Sequence, residues 1–248
     1  MSPIVVLSIA LQLLCAVHVV RTGRPLYWIF IVIIGSFLGV AIYVLAEVLP
    51  TLGKSPTARR AARGVRRRID PEHGKRHAAR NLEIADTLDN RRRLAEQSMA
   101  SGDFQQALTL YQDSLSGMYR TDPHLMLGLA HAQFELHQHA QARATLEALI
   151  AANPTFRSPD GHLLYARAVE ASGDTQAALH EYEALVQGFP GEEARVRFAQ
   201  LLERSGQRER AAELLRDVVK RASLAPKYYQ REQRAWVERA KRGVQGQP

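Results

Sequence analysis

The chain has a single cysteine, Cys15, among 248 residues. An intramolecular disulfide is therefore impossible, and a disulfide-stapled scaffold is excluded. Charge is nearly absent from the first fifty residues, which carry only Arg21, Arg24 and Glu47. Acids are scarce in residues 51–80, where ten Lys/Arg stand against Asp70 and Glu72. There is no glycine-rich phosphate loop closing on Lys-Ser/Thr, and no Gly-x-Ser-x-Gly nucleophile elbow. Those two absences remove the commonest nucleotide-binding and serine-hydrolase readings.

What is present is sharply segregated. The nearly uncharged head and the basic stretch are followed by residues 81–215, with a net charge of −7, and then by residues 216–248, with a net of +6. The overall balance of +8 thus hides four zones of different chemistry.

Within the head, Ile4–Val20 has no permanent charge, and Pro25–Pro50 has none until Glu47. The two runs flank the polar turn Arg21-Thr22-Gly23-Arg24. Their lengths predict a two-helix membrane hairpin over residues 1–50. The first run lacks the basic n-region and small-x-small site of a cleaved signal peptide. Gly35 and Gly39 form a GxxxG pair suited to close helix approach, and Ser8, Gln12 and Ala16 form a facing stripe. Gln12, Gly35 and Gly39 are thus the expected packing residues of the hairpin. His18 is expected at the membrane interface.

The segment Ala58–Arg68, "ARRAARGVRRR", holds six arginines. With Lys54 it gives seven cations after the second run, against two in the turn. The larger count belongs on the cytoplasmic side, so both termini and everything beyond residue 50 are expected there. Lys54, Arg59, Arg60, Arg63, Arg66, Arg67 and Arg68 are the candidate contacts to anionic lipid head groups, in a juxtamembrane linker over 51–80. Nucleic acid is the weaker partner for this run, because it has no aromatic stacking residues and no recognised reading motif.

From residue 88 the chain repeats. Ala107, Ala142, Ala178 and Ala211 fall 35, 36 and 33 residues apart, each with a second alanine twelve residues upstream: Ala95, Ala130, Ala166 and Ala199. Leu94, Leu129, Tyr165 and Phe198 precede the upstream set, and Tyr111, Leu146, Tyr182 and Leu215 follow the downstream set by four. Gly102, Gly173 and Gly206 mark the intervening turns, with His137 in place of glycine in the second unit. Small residues let paired helices approach, large ones fill the space between, and the turn residue takes a positive φ. This period and grammar resemble the tetratricopeptide repeat. Four units are expected over 88–121, 123–156, 159–192 and 192–225, with "NLEIADTLDN" as an N-terminal capping helix. One capping helix is expected after Pro226, over 226–248, with Tyr229, Trp236 and Val237 facing inward.

The head, "AVHVVRTGRPLYWIFIVIIGSFLGVAIYV", resembles the hydrophobic hairpin that precedes the catalytic part of bacterial phospholipase D-type enzymes and cardiolipin synthases. More closely, it resembles bacterial membrane proteins that join such a hairpin to divergent tetratricopeptide repeats. The lipid enzymes use His-x-Lys-x4-Asp. Here His73 and Lys75 are followed by Arg80 where the aspartate is required, so the resemblance implies membrane insertion and not lipid chemistry.

Together these readings predict an all-α protein: a two-helix transmembrane hairpin, then a tetratricopeptide α-solenoid of about four repeats over 81–225, then a capping helix. It is expected to be a non-catalytic adaptor without cofactor or metal, in the bacterial inner membrane, recruiting proteins at the cytoplasmic face. An accessory role to a membrane lipid-metabolism or other membrane complex is the alternative. Mapping the concave face by register gives Arg92, Glu96 and Met99; Leu127, His131, Phe134 and Glu135; Leu163, Arg167 and Glu170; and Gln200 and Glu203. That mixed apolar and acidic set suggests a peptide partner of some basic character. The Lys and Asn of the chaperone-type carboxylate clamp are replaced by Leu127 and His131. His137-x-His139 and the pair His131/Glu135 lack the converging ligands of a metal site.

Overall fold

The structure is a computed structural model that describes residues 3–22, 25, 27–44, 46, 70 and 72–245. It divides into two compact units, Met1–His73 and Gly74–Pro248, taken separately below.

The described part of the first unit holds α1 (Pro3–Arg21), α2 (Tyr27–Ile34) and α3 (Ser36–Tyr43). Cys15, Val19, Trp28, Val32, Val40 and Tyr43 are buried between them. His18 Nδ1 lies 2.8 Å from the Tyr43 hydroxyl, and the Tyr43 ring meets Trp28 edge-on. His18 is itself exposed, and its ring ties to this buried tyrosine.

The membrane expectation is overturned here. Among the described residues no helix is long and apolar enough to cross a membrane. The second apolar run does not form one helix, because a turn at Gly35 divides it into two eight-residue helices. Each is about 12 Å long at 1.5 Å per residue, against the roughly 30 Å of a hydrocarbon core. The first helix carries Gln12 and His18 within its length and ends at Arg21. Gly35 and Gly39 stand close to the backbone of α2. A side chain on Gly35 would meet the Ile31 carbonyl oxygen at 2.7 Å, and one on Gly39 would run into the same carbonyl. The glycines permit the bend of their own segment. Gln12 is half-buried. The two-pass inner-membrane placement and its cytoplasmic orientation therefore fall, and the hairpin resemblance finds no support. Lys54, Arg59, Arg60, Arg63, Arg66, Arg67 and Arg68 lie outside the described residues.

The second unit opens on α4 (His73–Ile84), which starts inside the span read as linker. Lys75 joins it to the first repeat by a 2.5 Å ion pair with Asp103. The segment "NLEIADTLDN" is not one helix: the chain breaks at Ala85–Thr87, where Asn90 Nδ2 donates to the carbonyls of Asn81 and Ala85. Four helix pairs follow: α5 (Leu88–Ser101) with α6 (Phe104–Ser114), α7 (Pro123–Glu135) with α8 (His139–Ala152), α9 (Pro159–Ala171) with α10 (Thr175–Val186), and α11 (Glu193–Arg204) with α12 (Arg208–Leu224).

Local sequence explains where these helices start and stop. Side chains of Thr87, Asp103, Asp122, Ser158 and Asp174 accept hydrogen bonds from backbone N–H groups of the first turns of α5, α6, α7, α9 and α10. Pro123 and Pro159 occupy first-turn positions, where no N–H is needed. The turns between paired helices hold Gly102, His137, Gly173 and Gly206 at φ of 82°, 59°, 88° and 82°. His137 is the one non-glycine residue with positive φ among those described.

All eight repeat alanines are completely buried, from Ala95 and Ala107 to Ala199 and Ala211. Tyr111, Leu146, Tyr182 and Leu215 are buried beside them. Deep alanines bring backbones together while the large side chains fill the gaps, which is how a solenoid builds one continuous core from short helices.

The C-terminal cap is two helices rather than one: α13 (Lys227–Glu232) and α14 (Arg234–Gln245). Val237 and Ala240 are buried, and Ala240 packs into the core of the last repeats. Glu192, at the start of α11, anchors this cap although it is 0% exposed. Its carboxylate accepts from the Tyr229 hydroxyl at 2.8 Å and lies 3.5 Å from Arg195 and 3.7 Å from Arg221. Its backbone N–H donates to the side chain of Gln233.

Candidate protein-interaction groove

The first helices of the pairs, α5, α7, α9 and α11, carry the sequence-mapped face. Arg92 lies 3.2 Å from Asp89 and 3.7 Å from Glu96, so these three offset one another on α5. Met99 packs against the core of the first two repeats. Leu163 is also a core residue, 6% exposed. Leu127 is half-buried and lines a separate cleft described below. His131 stands 3.6 Å from Glu135. Gln200 and Glu203 are exposed.

The centre of the face is Arg167. Its guanidinium lies over the Phe134 ring, 4.4 Å from the centroid. A flat cation on an aromatic face is stabilised by the ring quadrupole. Burial, and then the nearby Arg197, push the Arg167 pKa down from the usual guanidinium range. Glu193 and Glu135 act in the opposite direction from farther off, yet the side chain has no ion pair or hydrogen bond among the described residues. Two neighbouring acids are held by other groups, while Glu135 has only His131 beside it at 3.6 Å. Glu170 accepts from the Tyr182 hydroxyl at 2.7 Å and pairs with Arg204. Burial, then Glu170, raise the Tyr182 pKa far above the phenol range, so the hydroxyl remains a donor. Glu193 is held by Arg197 at 2.8 Å.

Sequence mapping missed Arg197, Arg204 and Trp236. Arg197 lies three residues before Gln200 and Arg204 four after it, so helical spacing could have found both. Trp236 had no such signal, since it arrives from α14. Both Arg197 and Arg239 approach its ring, with guanidinium carbons 5.1 and 4.7 Å from the centroid.

A second concave feature opens between α8, α9 and α10. It has a volume of about 660 Å³ and is lined mainly by aliphatic and phenylalanine side chains, with His162 and Glu181 in its wall. Among the described residues there is no group of three or more His, Cys, Asp or Glu that could hold a metal ion.

A family model described as tetratricopeptide repeat matches residues 98–168. No curated protein matches the chain in sequence. Among solved structures, MamA (residues 41 to the end) from Desulfovibrio magneticus RS-1 aligns at a TM-score of 0.56 with 18% identity, over 68% of this chain and 95% of that one. A thermophilic tetratricopeptide-repeat protein from Thermus thermophilus aligns at 0.53 with 17% identity, over 67% and 88%. At these identities the likeness is one of fold. The chain thus carries a tetratricopeptide-type α-solenoid, an architecture whose extended concave face serves as a protein-interaction scaffold.

Proposed function

We propose that this protein is a non-catalytic scaffold that holds a polypeptide partner along the face of α5, α7, α9 and α11, with an acidic group of that partner at Arg167. The observation that carries the reading is Arg167 itself: a half-buried cation at the middle of the face, stacked on Phe134 and without a carboxylate partner among the described residues. The cost of partly desolvating a guanidinium is recovered when an anion reaches it, and in a half-dry groove that pairing is stronger than on an open surface. The acid count of the face had suggested a basic partner. Pairing of Glu96 with Arg92 and of Glu170 with Arg204 weakens that argument, while Glu135 keeps only His131 beside it and Glu203 is exposed.

The test is fluorescence anisotropy of labelled acidic and basic peptide libraries on the full chain. Acidic peptides are expected to bind, with affinity falling as salt rises. Arg167→Glu should weaken them by more than about tenfold, and Arg167→Lys by less, since lysine keeps the charge but not the flat stack. A preference for basic peptides, or indifference to Arg167→Glu, refutes the reading.

A further inference from the structure

Residues 216–248 carry a net charge of +6, and the fold gathers part of it into one cleft at the C-terminal cap. Helix α13 ends at a bend on Gln233. The side chain of Gln233 accepts from the Glu192 N–H, and its own N–H donates to the Tyr229 carbonyl at 2.8 Å. This fixed bend sets the angle between α13 and α14. Lys227 and Arg231, about one turn apart on α13, then line the same concavity as Arg234 and Lys241, about two turns apart on α14. Val219 and Ala222 of α12 and Val237 of α14 supply its apolar part, in a volume of about 530 Å³.

The charge of this cleft is unbalanced. Glu238 is the one acid in its lining, and Lys241 holds it at 3.0 Å. Lys241, and from farther off Arg234 and Arg242, keep the Glu238 carboxyl below the usual carboxylate range. The side chains of Lys227, Arg231 and Arg234 are exposed and have no ion pair or hydrogen bond among the described residues. Ser223 and Gln230, the neutral polar members of the wall, donate to the carbonyls of Lys220 and Ala225 and offer no counter-charge. Three cations thus share one concavity without a carboxylate of the chain within ion-pair distance, and like charges so gathered repel. The lining has no aromatic side chain, so it gives a nucleobase no stacking platform. A single carboxylate would offset one charge of the three. A phosphoryl group carries about −1.5 to −2 at neutral pH on three acceptor oxygens. Two guanidinium forks match that geometry, and the apolar side chains beside them suit the carbon skeleton of an ester.

We propose that the cleft between α12, α13 and α14 is a binding site for the phosphoryl group of a small phosphate ester, held by Arg231 and Arg234 with Lys227 adding charge. The same chemistry is offered by a free ester and by a lipid headgroup. None of the lining residues belongs to the Arg167 groove, so the site does not rest on the groove's proposed ligand.

The test follows the methyl NMR signals of Ala222 and Val237 in the full chain, which report this cleft apart from the arginines of residues 58–68. Glycerol 3-phosphate is expected to shift both signals saturably, and more weakly as salt rises. Succinate, which spreads its two charges over separate carboxylates, should bind about tenfold more weakly. Arg231→Gln combined with Arg234→Gln, both at exposed positions, should weaken glycerol 3-phosphate by more than about tenfold while far-UV circular dichroism is unchanged. Arg167→Glu should leave its binding unchanged, so failure of the groove reading and of this one can be told apart. Phosphatidylcholine vesicles containing phosphatidic acid separate the two sources. Saturation by the free ester assigns the site to a soluble ligand, and broadening of both signals by these vesicles without a shift from the free ester assigns it to a headgroup. No response to either, equal binding of succinate, or indifference to the double variant overturns the proposal.

Discussion

Replacing Glu192 should detach the C-terminal cap before it disturbs the rest of the array. This carboxylate is 0% exposed, and its charge is met by Arg195 at 3.5 Å and by Arg221 at 3.7 Å. Removing one member of a buried ion pair costs about 3–5 kcal/mol, because the other charge remains in the dry interior. The lower end applies here. Arg195 keeps its bonds to the Val186 and Gly191 carbonyls, and Arg221 is half exposed to water. Glu192→Ala should therefore cost about 3 kcal/mol. The loss is directed, since the Tyr229 hydroxyl on α13 loses its only acceptor among the described residues. Hydrogen exchange followed by mass spectrometry reads this region by region. A loss of about 3 kcal/mol in local opening raises exchange by roughly a hundredfold, and the rise should fall on residues 227–245. Tyr229→Phe removes the same hydroxyl but keeps the ion pairs, and should give about 1–2 kcal/mol in the same segment. In the double variant the two effects should not add, because both act through one contact. Unchanged protection of 227–245 in Glu192→Ala, or full additivity, would refute the latch argument.

Three other contacts give simpler outcomes. His137→Gly should stabilise the array by about 0.5–1 kcal/mol in urea titration, since glycine takes the φ of 59° without strain and only part of that gain is lost to unfolded-chain entropy. Gly128→Ala should destabilise by about 1–3 kcal/mol, because the added Cβ collides with the Tyr111 ring that packs on α7. A thermal melt that shows no loss would mean Tyr111 yields freely. Asp122→Ala should lower stability by about 1–2 kcal/mol in the same titration, since one carboxylate oxygen caps both His124 and Leu125 N–H at the start of α7.

The repeat array was legible in the primary sequence because its information is local and periodic. Alanines at a fixed spacing mark close helix approach wherever the chain goes, and all eight are fully buried. Cap residues and turn glycines act over three or four residues, so Asp103, Asp174 and Gly102 announce their roles without knowledge of the rest. His137 could be read as a turn residue from register alone.

Composition could not decide the rest. A run of apolar residues states that water is avoided and not how the backbone is routed. The turn at Gly35 splits such a run into two helices too short to cross a bilayer, and the expected membrane placement falls with it. Charges on a helix face likewise say nothing of how they pair. Helical spacing can suggest the Glu193–Arg197 pair, but only packing showed that Glu170 is taken by Arg204 and that Arg167 sits on Phe134. His162 turns toward Glu181 in the wall of the cleft between α8, α9 and α10, and that choice belongs to the packed molecule. The helices of the array, their pairing and the alanine core could be written down from the residue order, because they follow from short-range periodicity. Which charges remain available and which way His162 turns could not, because both depend on side chains of other helices, Phe134 and Arg204 for the charges and Glu181 for His162.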